Sequence, residues 1–186
     1  MLSKNTLLFL LPIWVLSVVS LEGFAQTTNR ISGPIIQDFG HTYKVDQADV
    51  PIDTDMVYRV VFDVYSSPAD SSRLNPSLNT LARFLNMHAA AGIPVKQLHV
   101  AAVVHNQASI DVMNNQFYRE RFGIDNPNAP LIEALDKAGV QIFMCGQSIQ
   151  ARHLDRNSLI ESVQVGLSAM TVILSLQQEG YQLIRF

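Results

Sequence analysis

Strand-like and helix-like spacings of apolar residues alternate along the chain from residue 57 to residue 186. Tyr58, Val60 and Phe62 recur at every second position, which predicts a strand with one strongly apolar face. The run from Leu98 to Val104 is almost continuously apolar, as is typical of a parallel strand buried on both faces. Predicted strands cover residues 57–64, 98–104, 140–144, 163–167 and 181–186.

Helical patterns separate these strands. Leu78, Leu81 and Leu85 form a stripe at helical spacing, which follows an Asn75 cap and a proline at the first helical position. Ser148 is predicted to cap the short helix after the third strand. Predicted helices cover residues 76–91, 109–122, 131–138, 149–154 and 169–179.

Repeated alternation of strand and helix predicts an α/β domain with a mostly parallel five-stranded sheet and helices on both of its faces. Ligand sites in such sheets lie outside the carboxyl ends of the strands. The polar residues expected at these ends are Ser66–Ser67, His105–Gln107, Cys145–Ser148 and Ser168.

The segment before the domain has two parts. Lys4, the apolar run from Leu7 to Val19 and small residues up to Ala25 are typical of a cleavable signal peptide over residues 1–25. The apolar run is shorter than the roughly 20 residues that a membrane span requires. Residues 26–56 have turn signals but no apolar period, so we expect an extended arm that packs across the domain or onto a neighbouring subunit. The domain itself is assigned to residues 57–186.

Composition narrows the function classes. A net charge of −3 at pH 7 without a basic run argues against nucleic acid binding, and no second apolar stretch indicates membrane association after cleavage. We predict a periplasmic or secreted protein. No dinucleotide or phosphate loop motif is present, and no cofactor is predicted. No metal is predicted, since no close ligand spacing relates His41, His88, His99, His105 and His153.

Cys145 is the single cysteine and the first candidate for chemistry. It follows a buried strand, and Gly146 is expected to let the chain turn sharply there. A thiol at a helix N-terminus faces unpaired N–H groups that stabilise the thiolate. The alternative is an inert cysteine that fills the end of the strand.

His105 is expected on the same rim as Cys145, where it would act as a base or a hydrogen-bond donor toward the thiol. The alternative is a histidine satisfied by a backbone carbonyl. The residues expected to bind a ligand around this pair are Asn106, Gln107, Gly146, Gln147 and Ser148.

Four segments together resemble the DsrE/DsrF-like family. They are Val103–Asn106, Asn126–Asn128 before the helix with Leu131, Gly139–Ser148, and Gly166–Met170 with the later Gly180–Tyr181. The resemblance covers the domain from Val57 to Phe186.

This resemblance implies a flavodoxin-like three-layer fold and a homo-oligomer, either a trimer or a pair of trimers. In cytoplasmic members the cysteine at the place of Cys145 carries sulfur as a persulfide. This chain departs in two respects: Asn106 stands where the family has glycine, and the chain is predicted to be exported.

The function expected from these observations is an exported sulfur or thiol carrier that uses Cys145, a sulfurtransferase-like carrier if it has an activity. Its partners would be copies of itself and thiol or sulfur donor and acceptor proteins. The alternative is a non-catalytic small-ligand-binding or structural oligomeric module with an inert Cys145.

Overall fold

The computed structural model describes residues 30–185, so the predicted signal peptide and the first residues of the arm lie outside the described residues. The strands are β1 (Arg30–Ile31), β2 (Thr42–Tyr43), β3 (Tyr58–Val64), β4 (Leu98–Val104), β5 (Gln141–Cys145), β6 (Gln164–Gly166) and β7 (Gln182–Ile184). The α-helices are α1 (Pro76–Ala90), α2 (Asn115–Phe122), α3 (Ala129–Lys137), α4 (Gly146–Ala151) and α5 (Ala169–Gln178).

Within residues 30–185, five strands form one fully parallel sheet in the order β6-β5-β4-β3-β7. This arrangement confirms the predicted α/β architecture. The helical connections run from β3 outward to β6, and α5 then crosses back to place β7 on the other side of β3. Among these residues, no helix is both long and apolar enough to cross a bilayer.

One face of the sheet packs against α1 and α3. Val60, Phe62 and Val64 of β3 point to this face and belong to the larger apolar cluster. Because side chains of a strand alternate between faces, the intervening residues point the other way. The helical side chains that complete this core are fully or almost fully buried: Leu78, Leu81, Leu85, Leu131, Ile132 and Leu135.

The opposite face, called here the α5 face, carries the smaller cluster. Val61, Val103 and Cys145 pack there beneath Ala169 and Leu176 of α5. Since the sheet lies between this helix and the α1–α3 layer, the domain has the three layers that were predicted.

The predicted helix over 109–122 is wrong in its first half. A 3₁₀ helix spans Asn106–Val112, and α2 begins only at Asn115, after the Asn114 cap. Tertiary donors take the carbonyls that a continuous α-helix would need: the Asn126 side chain bonds the carbonyls of Asp111 and Met113 at 2.9 and 2.6 Å. Met113 and Asn114 have extended backbones, with ψ 148° and 166°, and these bonds hold the extended turn that separates the two helices.

A buried polar network links the loop between β3 and α1, the 3₁₀ helix after β4 and the start of α3. Asp111, 1% exposed, accepts hydrogen bonds from Ser67 at 2.9 Å and from the Asn75 side chain at 2.6 Å. Asn75 also caps α1 and receives support from Asn128, whose Oδ1 accepts from the Asn75 backbone N–H at 2.7 Å. Burial raises the pKa of Asp111 to about 6, although the bonds from Asn75 and Ser67 oppose this rise.

The first part of the N-terminal arm packs on α1 of the same chain. Asn86 is fully buried, and its Oδ1 accepts hydrogen bonds from the N–H groups of Ile35 and Ile36. Its Nδ2 donates to the carbonyls of Ile36, Phe39 and Gly40. Gly40 has φ +63°, and a Cβ there would lie 2.2 Å from the α1 backbone, so only glycine permits this approach.

Replacing Asn86 tests whether it anchors the arm. We expect Asn86→Ala to lower the free energy of unfolding by about 3 kcal/mol, because several backbone groups lose their partner. The matched control is Asn79→Ala, which removes one bond to the Gly40 N–H and should cost about 1 kcal/mol. Urea denaturation measures both, and limited proteolysis of the arm should accelerate only in the Asn86 variant. Equal losses would contradict the anchoring role.

The buried carboxyl of Asp111 makes stability depend on pH. Its pKa is higher in the folded chain than in the unfolded chain, so the folded state binds the proton more tightly. Protonation of Asp111 therefore increases the free energy of unfolding by about 1 kcal/mol as the pH falls from 7 to 5. This contribution is lost as the pH rises through 6. Unfolding free energies of wild type and Asp111→Asn across this range measure it. An identical pH slope in both proteins would contradict the assignment.

Candidate functional site

Parallel pairing of β4 with β5 brings His105 and Cys145 to neighbouring positions. Val104 pairs with Met144, and the His105 N–H donates to the Val64 carbonyl at 2.9 Å, so extended pairing with β3 continues one residue beyond β4. His105 and Cys145 follow directly in this register. Because alternate residues share a face, both belong to the α5 face at the carboxyl rim of the sheet.

Cys145 occupies the N-cap position of α4, and the helix begins at Gly146. The prediction that Ser148 caps a helix over 149–154 is therefore wrong. The Ser148 hydroxyl instead accepts a hydrogen bond from the Asn106 N–H at 3.0 Å, which ties α4 to the loop after β4.

The thiol lies between the first turns of α4 and α5. The Cys145 side chain forms no N-cap hydrogen bond, but the N–H groups of Gln147, Ser148 and Ala169 and the Ser148 hydroxyl lie close enough to the sulfur to stabilise its ionised form. The backbone donors belong to first turns, where N–H groups have no partner within the helix. Burial raises the pKa of the Cys145 thiol, but these neighbouring donors outweigh burial and hold the pKa below its ordinary value. The side chain is 5% exposed.

Gly146 is needed for a close backbone approach. A Cβ at this position would lie 2.7 Å from the Gly166 carbonyl oxygen and 3.2 Å from that of Leu167. The absence of a side chain lets the loop between β6 and α5 lie against the start of α4. This proximity is what places the Ala169 N–H at the sulfur.

Asn106 adopts a left-handed backbone with φ 52°. Asparagine tolerates this conformation better than most residues, and glycine tolerates it best. The backbone conformation therefore accounts for asparagine at a place where the family resemblance implies glycine. The Asn106 Oδ1 accepts a hydrogen bond from the Arg152 guanidinium at 2.7 Å.

An open polar depression of about 490 Å³ lies between α4 and the loop after β4, and Cys145 is not among the residues that line it. Three of the predicted ligand-binding residues, Asn106, Gln147 and Ser148, line it together with Ala151 and Arg152. Gly146 and the exposed Gln107 are not among the lining residues. The structure thus gathers part of the predicted set and adds the cationic Arg152.

His105 bonds a carboxylate rather than a backbone carbonyl. Its Nε2 lies 2.7 Å from Oδ1 of Asp63, whose other oxygen lies 3.5 Å from Nε of Arg185. The Arg185 guanidinium sits 4.4 Å from the centre of the Tyr65 ring.

Sequence reasoning missed Asp63 and Arg185 as site residues. The available signal was an acid between apolar residues near the carboxyl end of the strand, in the series Val61, Phe62, Asp63, Val64. Within residues 30–185, no group of three or more histidine, cysteine, aspartate or glutamate side chains is placed to hold a metal ion.

Comparison with known proteins identifies relatives of the domain. The sequence profile of the DsrE/DsrF-like family matches residues 59–186. A solved protein of unknown function from Methanobacterium thermoautotrophicum is 24% identical, with a TM-score of 0.51. The solved ychN protein from E. coli is 18% identical, with a TM-score of 0.52. Each structural alignment covers 69% of this chain and 99% of the other. No curated protein matches the chain significantly.

The two structural neighbours support the flavodoxin-like α/β fold, and the profile match extends over well more than half of the chain. The resemblance drawn from the sequence segments is thereby confirmed. The chain belongs to the DsrE/DsrF-like family.

Proposed function

We propose that this DsrE-like protein carries sulfur as a persulfide on Cys145 outside the cytoplasm. The observation that supports the proposal is the position of Cys145 at the N-terminus of α4 and against Ala169, where the N–H groups of Gln147, Ser148 and Ala169 lie near the sulfur. A pKa below the ordinary value raises the fraction of thiolate near neutral pH, and the thiolate is the nucleophilic form.

The proposed step transfers one sulfur atom without an external oxidant. The Cys145 thiolate attacks the terminal sulfur of a persulfide or polysulfide, and a new S–S bond to Cys145 forms. The bond between that sulfur and its donor breaks, and the donor leaves as a thiolate with the electron pair. The same donors that stabilise the thiolate then stabilise the anionic persulfide. An acceptor thiol removes the sulfur in the reverse sense.

His105 assists this step in the proposal as a base or hydrogen-bond donor toward Cys145. Its place next to Cys145 in the strand register supports this role. The interpretation of residues 1–25 as a signal peptide supports export. In this proposal the protein therefore exchanges sulfur with donors and acceptors outside the cytoplasm.

A non-catalytic binding module is the second candidate. The low exposure of Cys145 favours it, because a buried thiol can be an inert part of the packing. In that case the polar depression beside Arg152, which Cys145 does not line, would hold the ligand.

The carrier proposal also includes a homo-oligomer, a trimer or a pair of trimers. Leu167, Met170 and Leu174 are 72%, 79% and 58% exposed along α5 and the loop before it. Exposed apolar side chains that lie together on one helix mark an interface, and a second copy of the chain is the proposed occupant.

Thiol reactivity separates the carrier from the binding module. We expect native protein to react with iodoacetamide near pH 7 faster than free cysteine does, because its thiolate is stabilised. Polysulfide should add the mass of one sulfur atom to wild type but not to Cys145→Ala. His105→Ala should slow alkylation about tenfold while keeping the melting temperature. Resistance to alkylation until the chain is denatured would overturn the carrier proposal.

Charge placed on α5 tests the proposed assembly. We expect wild type to be oligomeric in light scattering at micromolar concentration and Met170→Glu to be monomeric, since burying an unpaired carboxylate is costly. The control is Met87→Glu on α1, where the methionine is 47% exposed, and its assembly should be unchanged. A monomeric wild type would contradict the interface.

A further inference from the structure

A line of polar side chains crosses three neighbouring strands at the carboxyl rim of the α5 face. Asp63 of β3 pairs with Val103 of β4, and Val103 pairs with Phe143 of β5. Asp63, His105 and Cys145 therefore lie on the same face of adjacent strands, with His105 in the middle. This order follows from the parallel register together with the extended backbone of His105, which continues the pairing with β3 one residue beyond β4.

The contact within this line is short and partly shielded. Asp63 Oδ1 lies 2.7 Å from His105 Nε2, and the side chains are 11% and 27% exposed. The Tyr65 ring lies beside the His105 ring, with centroids 6.3 Å apart. A carboxylate at this depth fixes the orientation of the ring far better than an exposed ion pair would.

The bond to Asp63 also fixes which ring nitrogen remains for chemistry. In a neutral imidazole, Nε2 then carries the hydrogen and donates to the carboxylate, while Nδ1 keeps its lone pair. Among residues 30–185, no other hydrogen bond to the His105 ring is formed. Nδ1 is thus the ring nitrogen without a hydrogen bond among the described residues, and Cys145 is the neighbour of His105 in the register of β4 with β5.

We propose that Asp63 is a positioning residue that holds the His105 ring by Nε2 and assigns Nδ1 to take the proton of the Cys145 thiol. This inference rests on the proposed role of Cys145 in sulfur transfer. The proton moves from sulfur to Nδ1, and the electron pair stays on the sulfur. The imidazolium that forms is stabilised by the Asp63 carboxylate, as in other nucleophile–histidine–acid sites.

The number of protons and the net charge are then the same before and after the transfer. The thiolate attacks the terminal sulfur of an anionic persulfide, the S–S bond to the donor breaks, and the leaving thiolate takes the proton from Nδ1. The products are the Cys145 persulfide anion and the donor as a neutral thiol. Nε of Arg185 lies 3.5 Å from the second oxygen of Asp63, so Arg185 does not occupy the oxygen that His105 uses.

The experiment follows the ultraviolet absorption of the Cys145 thiolate against pH in the full chain. The signal belongs to one residue because the chain has a single cysteine, and Cys145→Ala supplies the blank. We expect Asp63→Asn to lower the thiolate fraction at pH 7 about tenfold by moving the midpoint upward. The control Asp125→Asn, which removes an exposed carboxylate paired with Arg119, should leave the midpoint unchanged.

A double-mutant cycle distinguishes positioning from a general structural effect. In a His105→Gln background, Asp63→Asn should no longer change the midpoint, because Asp63 acts through His105. An undiminished effect in that background would overturn the proposal. Nitrogen NMR of His105 in wild type gives a test that does not depend on how a variant folds. The neutral ring should carry its hydrogen on Nε2, and hydrogen on Nδ1 would also overturn the proposal.

These results separate the two proposals. A wild-type chain that shows the Asp63-dependent midpoint but accepts no sulfur from polysulfide would refute the carrier function and leave the positioning role intact. A chain that accepts sulfur with equal midpoints in wild type and Asp63→Asn would refute the positioning role alone.

Discussion

Parallel pairing of β3, β4 and β5 in one register is the constraint on which the candidate site depends. The pairing of Val104 with Met144 places His105, which follows β4, beside Cys145, the last residue of β5, and the pairing of β3 with β4 places Asp63 on the same face. A shift by one residue would turn these side chains to the opposite face. The apolar residues within the strands, buried on both faces, hold the register because a slip would expose them.

At Cys145 two opposing effects act on one sulfur atom. Burial disfavours the thiolate, and N–H groups in the first turns of α4 and α5 favour it. These donors prevail because the backbone of two chain segments is packed closely there, which Gly146 permits by having no side chain. The same packing that protects the thiol from solvent thus supplies the donors that favour its ionised form.

Much of the fold followed from local pattern. Alternating apolar residues gave β3, the continuous run from Leu98 gave β4, and glycines and asparagine caps gave the helix limits to within a few residues. The region 106–122 could not be predicted in the same way. Its residues are compatible with a continuous helix. The Asn126 side chain, 15 and 13 positions away in sequence, instead bonds the carbonyls of Asp111 and Met113 and holds an extended turn there.

For the candidate site, the sequence by itself determined which residues lie at strand ends. It also identified Cys145 and His105 as the candidate residues and indicated the family. It did not determine the partner of His105, the start of α4 or the burial of the thiol. Those depend on contacts such as that of Asp63 with His105, 42 positions apart, and of Gly146 with Gly166. Periodicity reports which face a residue occupies along its own element. Only the assembled sheet decides which side chains from different elements meet at that face.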